Sequence, residues 1–161
     1  MKSFFLIVLF IGLAFKSYTQ QIIKWKITDI RELIEKSDSV LVINFWATFC
    51  KPCVEEIPNL IKFASKYKKQ KVALFLVSLD LADYYPTKIK KFVAAKKYAA
   101  NIAWLDESNA DYFCPIISAD WSGSIPATLI VNNKNGYRKF YEKKLSAAEI
   151  ENAIKPALKT N

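Results

Sequence analysis

The chain has 161 residues, with 24 basic against 15 acidic side chains, a formal net charge of +9 and no histidine. Without histidine, Ser-His-Asp and Cys-His catalysis and histidine metal sites are excluded. The only glycines, at positions 12, 123 and 136, leave no glycine-rich phosphate loop.

Read from the N-terminus, Met1-Lys2-Ser3 is short and basic, Phe4 to Phe15 is apolar apart from Gly12, and Lys16 to Gln20 is polar. This order is that of a secretory signal peptide. The apolar run is shorter than the roughly 20 residues that span a bilayer. Ser17 and Thr19 suit the small-residue positions of a cleavage site, so residues 1–19 are expected to be removed before Gln20, leaving one domain over 20–161. The expected destination is the periplasm or the exterior; an uncleaved segment would instead tether the chain to a membrane. No cysteine follows the apolar run to carry a lipid. The excess lysines, as in "SKYKKQK" (65–71) and "TKIKKFVAAKK" (87–97), are spread over the outer positions of helix-like segments. They read as a solvated face with some attraction to membranes or acidic partners, and no nucleic-acid motif accompanies them.

Thr28 or Asp29 caps a predicted helix to about Lys36, with Glu32 completing a capping box from Asp29. "SVLVINFWA" (39–47) is a nearly unbroken apolar run rich in β-branched residues, the pattern of a strand buried on both faces. From Cys50 the apolar residues Val54, Ile57, Leu60, Ile61 and Ala64 recur at helical spacing, with a kink expected at Pro58. "KVALFLVSLD" (71–80) is a second buried strand, and Pro86 opens a helix through Tyr98. "NIAWLD" (101–106) is a short strand, and 107–120 is irregular or helical. "ATLIVNN", the turn "NKNG" and "YRKFYEK" form a β-hairpin. Ser146 and Glu149 make a capping box for the last helix, with Ala148, Ile150 and Ile154 toward the sheet. Strands alternating with helices, closed by a hairpin and a helix, define a single α/β domain.

Cys50 and Cys53, separated by Lys51 and Pro52, fall where the first long strand passes into a helix. A helix N-terminus stabilises a thiolate through its unpaired N–H groups and partial positive charge, so Cys50 is read as the attacking thiol. Pro52 suits a first helical turn, where no N–H partner is lost. Cys53 lies on the same face as Cys50, within disulfide reach, and is read as the inner, resolving thiol. A zinc site needs about four ligands, and Cys114 is the only other cysteine, so no metal is expected. A structural disulfide across so short a loop gains little entropy, which favours redox chemistry. Cys114 itself reads as a buried, inert thiol.

"NFWATFCKPC" together with "SGSIPATLIVNNKNGY" resembles the thioredoxin-fold proteins, and in particular the TlpA/ResA-type exported thiol–disulfide oxidoreductases. The resemblance implies a three-layer α/β fold, a central mixed β-sheet flanked by helices. It implies no cofactor beyond the Cys50–Cys53 disulfide. Pro126 takes the place of the family's cis-proline, with Ile125 before it facing the cysteines. Ile125, Pro126 and Trp121 are the substrate-contacting set, Trp121 either lining the mouth or packing in the core. Trp46 is a mostly structural neighbour, and Phe49 stands where many relatives carry Trp. Asn44 replaces the buried aspartate of ordinary thioredoxin, and Glu56 matches the ResA-type glutamate three residues after the second cysteine. At that helical spacing Glu56 is either a proton carrier for Cys53 or an ordinary acid of the first turns, whereas Glu55 is read as the latter. The implied partners are protein disulfides, apocytochrome c among them, and a membrane-bound dithiol donor; the expected state is a monomer. Two rivals are a peroxiredoxin-type peroxidase, which wants threonine three residues before its cysteine where this chain has Thr48 two before, and a non-enzymatic adaptor.

Overall fold

The computed structural model describes residues 20–159. The elements run β1 (Ile22–Trp25), α1 (Ile27–Lys36), β2 (Val40–Trp46), α2 (Lys51–Lys66), β3 (Val72–Ser78), α3 (Thr87–Lys96), β4 (Asn101–Leu105), α4 (Ala110–Ile117), β5 (Ala127–Asn132), β6 (Tyr137–Tyr141) and α5 (Ala147–Ala157). The strands form one mixed sheet in the order β1-β4-β3-β2-β5-β6. The first four in that order run parallel, and β5 joins β2 antiparallel with Phe45 opposite Ala127. The hairpin β5–β6 closes the edge.

Every residue of β2 is buried, as its unbroken apolar run requires of a central strand covered on both faces. Alternation divides its side chains between two cores. Val40, Val42 and Trp46 pack with Ile57 and Leu60 of α2, Ile89 of α3 and Ile150 of α5. Leu41, Ile43 and Phe45 pack with Ile27 and Ile30 of α1 and with Phe113 and Ile117 of α4. The result is the three-layer thioredoxin-like α/β fold. Each large apolar side chain sealed in these layers contributes about 1.5–3 kcal/mol.

The structure departs from the sequence reading at some elements and agrees with it at others. The strand β1 was not legible in "IIKW". Helix α1 starts earlier than Thr28: Lys26 is its N-cap, and Asp29 accepts the Lys26 N–H at 2.7 Å, so Asp29 closes the capping box instead of opening it. Helix α3 is shorter than expected, ending at Lys96. The 107–120 stretch is helical over α4. Ala148 is exposed, leaving Ile150 and Ile154 to face the sheet. Pro58 lies inside an unbroken α2 with its ring exposed. Proline at 58 leaves the carbonyl of Val54 without its helical donor, and the Tyr98 hydroxyl donates to that oxygen at 3.4 Å instead. The Ser146–Glu149 capping box is present. The segment read as a signal peptide lies outside the described residues.

Candidate active site

The site forms where β2 ends and α2 begins. Thr48 is fixed first: its N–H donates to both Asp80 carboxylate oxygens at 3.1 Å, and its hydroxyl donates to Oδ1 at 2.6 Å. Asp80, buried just past β3, also accepts the Ser78 hydroxyl at 2.7 Å, and its carbonyl accepts Trp104 Nε1–H at 2.7 Å. One carboxylate thus ties the loop before the cysteines to the neighbouring strand.

Cys50 is the N-cap of α2, and its sulfur accepts the Cys53 N–H at 3.3 Å. The two cysteines are joined, with S–S 2.01 Å and Cα–Cα 5.3 Å. Cys50 is 8% exposed and Cys53 not at all, so an incoming reagent meets Cys50 first. Lys51 and Pro52 between them are exposed, and Phe49 stands out at 69% exposure beside the pair.

The start of β5 supplies the opposite wall. The Ile125–Pro126 bond is cis, and the Ile125 carbonyl oxygen lies 3.8 Å from Cys50 Sγ. Glu142 holds the preceding loop by accepting the Ser122 N–H at 3.1 Å, the Ser124 N–H at 2.9 Å and the Ser122 hydroxyl. Trp121 does not line the mouth. It is buried against Phe45, Phe113 and Phe140, and its Nε1–H donates to the Ser124 carbonyl at 2.9 Å, supporting the loop from beneath. Trp46 is fully buried with its ring near Phe92 and Tyr98.

Behind Cys53, Glu56 is fully buried one helical turn on. Its Oε1 accepts Asn44 Nδ2–H at 2.7 Å, and its Oε2 accepts the Leu145 N–H at 2.7 Å. Asn44 also donates to Thr128 Oγ1 at 2.9 Å, while its own Oδ1 has no partner among the described residues. Burial raises the Glu56 pKa above the ordinary 4.5, outweighing the opposing hydrogen bonds from Leu145 and Asn44. Glu55, by contrast, is an exposed acid paired with Lys144 at 2.5 Å. Cys114 is buried in the opposite core, where burial pushes its thiol up to about 11.

The structure therefore gathers Cys50, Cys53, Ile125, Pro126, Phe49, Lys51 and Pro52 at one opening, with Asn44 and Glu56 beneath. Sequence reasoning missed Asp80, Thr128, Glu142 and the Leu145 amide. An acid at the end of an apolar strand, in "VSLD", was the only signal for Asp80. The other three reach the site through pairings remote in sequence.

A bonded cysteine pair at the start of the helix following a central strand, in this strand order, defines a thioredoxin-fold protein. The chain belongs to the AhpC/TSA family, whose model matches residues 11–137. It is similar to Thioredoxin-like protein YneN of Bacillus subtilis, 27% identical over 115 residues, 71% of this chain and 62% of that protein. It is also similar to Thiol-disulfide oxidoreductase ResA of Halalkalibacterium halodurans, 26% identical over 101 residues, 63% of this chain and 52% of that one. The chain thus spans 62% or less of the length of these two curated relatives. The crystal structure of a thioredoxin-related protein from Neisseria meningitidis serogroup B matches with a TM-score of 0.65 and 26% identity, covering 77% of this chain and 89% of that one. These likenesses place the chain with the TlpA/ResA-type thioredoxin-fold proteins.

Proposed function

We propose that the chain is an exported thiol–disulfide oxidoreductase acting as a reductase on protein disulfides. The observation that carries this reading is the Cys50–Cys53 pair, its outer sulfur at a helix N-terminus beside the Ile125 carbonyl. In the reduced protein the Cys50 thiolate attacks a partner disulfide; one partner sulfur leaves as a thiolate, and Cys50 forms a mixed disulfide with the other. The Cys53 thiolate then attacks Cys50 Sγ, re-forming the Cys50–Cys53 bond and expelling the second partner sulfur. The partner gains two electrons and the dithiol loses two. Glu56 is the group proposed to take the Cys53 proton and return it, Asn44 being unable to titrate. Ile125 and Pro126 are proposed to pair with an extended substrate strand, and Phe49 to contact it; Lys51 and Pro52 border the thiols.

Apocytochrome c is the substrate class proposed, and a membrane-bound dithiol the donor that resets the pair. The working form is proposed to be a monomer, exported by way of residues 1–19. A peroxidase is disfavoured because the residue three before Cys50 is the buried Ala47, while the Thr48 hydroxyl is committed to Asp80.

Insulin reduction tests the activity: wild type should catalyse it and Cys50→Ser should not. Equilibration with glutathione tests the direction. A potential nearer thioredoxin's, about −270 mV, supports the reductase; one near about −120 mV makes the protein an oxidant. Cys53→Ser should trap the partner as a mixed disulfide with Cys50, which identifies the substrate.

A further inference from the structure

The parallel strands give the molecule two unlike ends. The thiols lie where β2 and β3 finish, and at that end most lysines are paired, Lys24 and Lys26 with Asp106, Lys88 with Asp83, Lys144 with Glu55 and Lys143 with Glu149, while Lys51 and Lys90 have no ion-pair partner among the described residues. The other end, where β2, β3 and β4 begin, collects the C-termini of the helices. There Lys36 closes α1, Lys66 closes α2, and Lys96 and Lys97 close α3. Lys68, Lys69 and Lys71 fill the turn from α2 into β3, and Lys134 lies in the β5–β6 turn beside them, sharing Asp38 with Lys71. All are exposed. Of the acids at this end, Glu32 answers Lys36, Glu35 answers Arg31, Asp38 answers two lysines, and Glu151 answers both Lys66 and Lys155. Lys68, Lys69, Lys96 and Lys97 have no ion-pair partner among the described residues.

Two further observations bear on this end. Lys71 and Lys97 have φ of 57° and 55°, the left-handed region that favours glycine, so lysine occupies both turns against backbone preference. The described chain also enters here: Gln20 donates to the Ala100 carbonyl just ahead of β4. Gln20, the first described residue, therefore lies at the lysine-rich end.

We propose that this end is a docking surface for anionic lipid headgroups, which holds the protein against a membrane with the Cys50–Cys53 opening turned away from it. Lysines crowded with few acids are drawn to an anionic bilayer, each contributing about fivefold in partitioning within a Debye length of about 8 Å at physiological salt. An anionic bilayer matches the broad spread of these lysines over four separate turns and helix ends better than a compact acidic epitope does. This surface is independent of the redox reading, because its binding needs no thiol.

The test uses the full chain, so that residues 1–19 contribute equally to every sample. Sedimentation with phosphatidylcholine vesicles, with and without phosphatidylglycerol, is compared for three proteins. These are wild type, the end variant Lys68→Gln/Lys69→Gln/Lys96→Gln/Lys97→Gln, and a control carrying Lys26→Gln/Lys88→Gln/Lys143→Gln/Lys144→Gln at the thiol end. Circular dichroism verifies that all three are folded. The expected result is a phosphatidylglycerol-dependent, salt-sensitive gain for wild type and control, reduced at least about tenfold in the end variant. In vesicle-bound, reduced wild type, Cys50 should alkylate as fast as in free protein. Equal loss in the control and end variants overturns the proposal in favour of net charge alone. Absence of any phosphatidylglycerol preference in wild type overturns it too, leaving an acidic protein as the occupant. Slowed Cys50 alkylation on the vesicle overturns the orientation.

Discussion

Cys50 and Cys53 are chemically alike but differently placed: one caps a helix at the surface, the other is sealed inside its first turn. Reduced protein treated with substoichiometric iodoacetamide should carry the label on Cys50, read by peptide mapping, and label mainly on Cys53 would reverse the proposed roles. Glu56 is the second residue whose setting has a measurable outcome. With its folded pKa raised, the native state keeps a proton that the unfolded chain has lost between the ordinary 4.5 and the raised value. The native state then binds more protons, so stability falls as pH rises through that window and is unaffected below it. Glu56→Gln removes the titration, and the variant should gain stability relative to wild type as pH rises, measured by urea unfolding across pH. The network can accept the change. Turning the Asn44 amide over presents its unpartnered Oδ1 to the new amide, as it would to a protonated Glu56. If Glu56 also serves Cys53, the same variant should slow disulfide exchange about tenfold and shift its pH profile. Superimposable profiles would leave it a buried structural acid.

At the scale of elements, the clamp on the loop before Pro126 separates positioning from thiol chemistry. Glu142→Ala frees the Ser122 and Ser124 N–H groups, and the loop carrying Ile125 loses its outer support. Exchange with a protein disulfide should slow about tenfold through misplacement of that wall, while Cys50 alkylation by small reagents stays unchanged. A second expectation concerns the turn after α3. Lys97→Gly relieves a left-handed backbone at φ 55° and should stabilise the fold by about 1 kcal/mol in urea unfolding. The sequence made legible the elements whose pattern is local: the apolar runs of β2 and β3, the helical spacing after Cys50, the Asn-Gly turn of the hairpin and the Ser146–Glu149 box. It hid β1, because a four-residue strand at a sheet edge alternates too briefly to separate from a loop. It also hid the start of α1, where Lys26 caps without a side chain that usually does so. At the site, the cysteines, Asn44, Glu56 and Pro126 were readable from motif. Thr128, Glu142 and the Leu145 amide were not, since they meet their partners only once β5, β6 and the chain before α5 have packed onto β2 and α2. Trp121 was ambiguous because an aromatic beside a loop has the same local sequence whether it lies above or below it.

For the molecule as a whole, the third thiol reports on integrity. Cys114 is sealed between α4 and the sheet, and its thiol is pushed up to about 11. Reduced native protein should therefore react with a disulfide reagent at Cys50 and then Cys53, with Cys114 following only at the rate of global unfolding. Fast labelling of Cys114 would mean that the α4 side opens on its own. The parallel run of β2, β3 and β4, with helices returning against them, reaches further than placing the thiols at one end. Each helix adds a partial negative charge where it finishes, and the closing lysines sit there, locally favourable and globally in excess. On the docking proposal, the lysine excess outweighs the opposing partial charges of the helix termini and gives an electric moment along the strand direction, its positive head opposite the thiols. A molecule of that kind experiences a torque before it touches anything charged: at low ionic strength an approaching anionic plane turns it, and diffusion delivers it already aligned. Orientation is then a property of flight, set before any contact is made, and it should fade as added salt shortens the reach of the field.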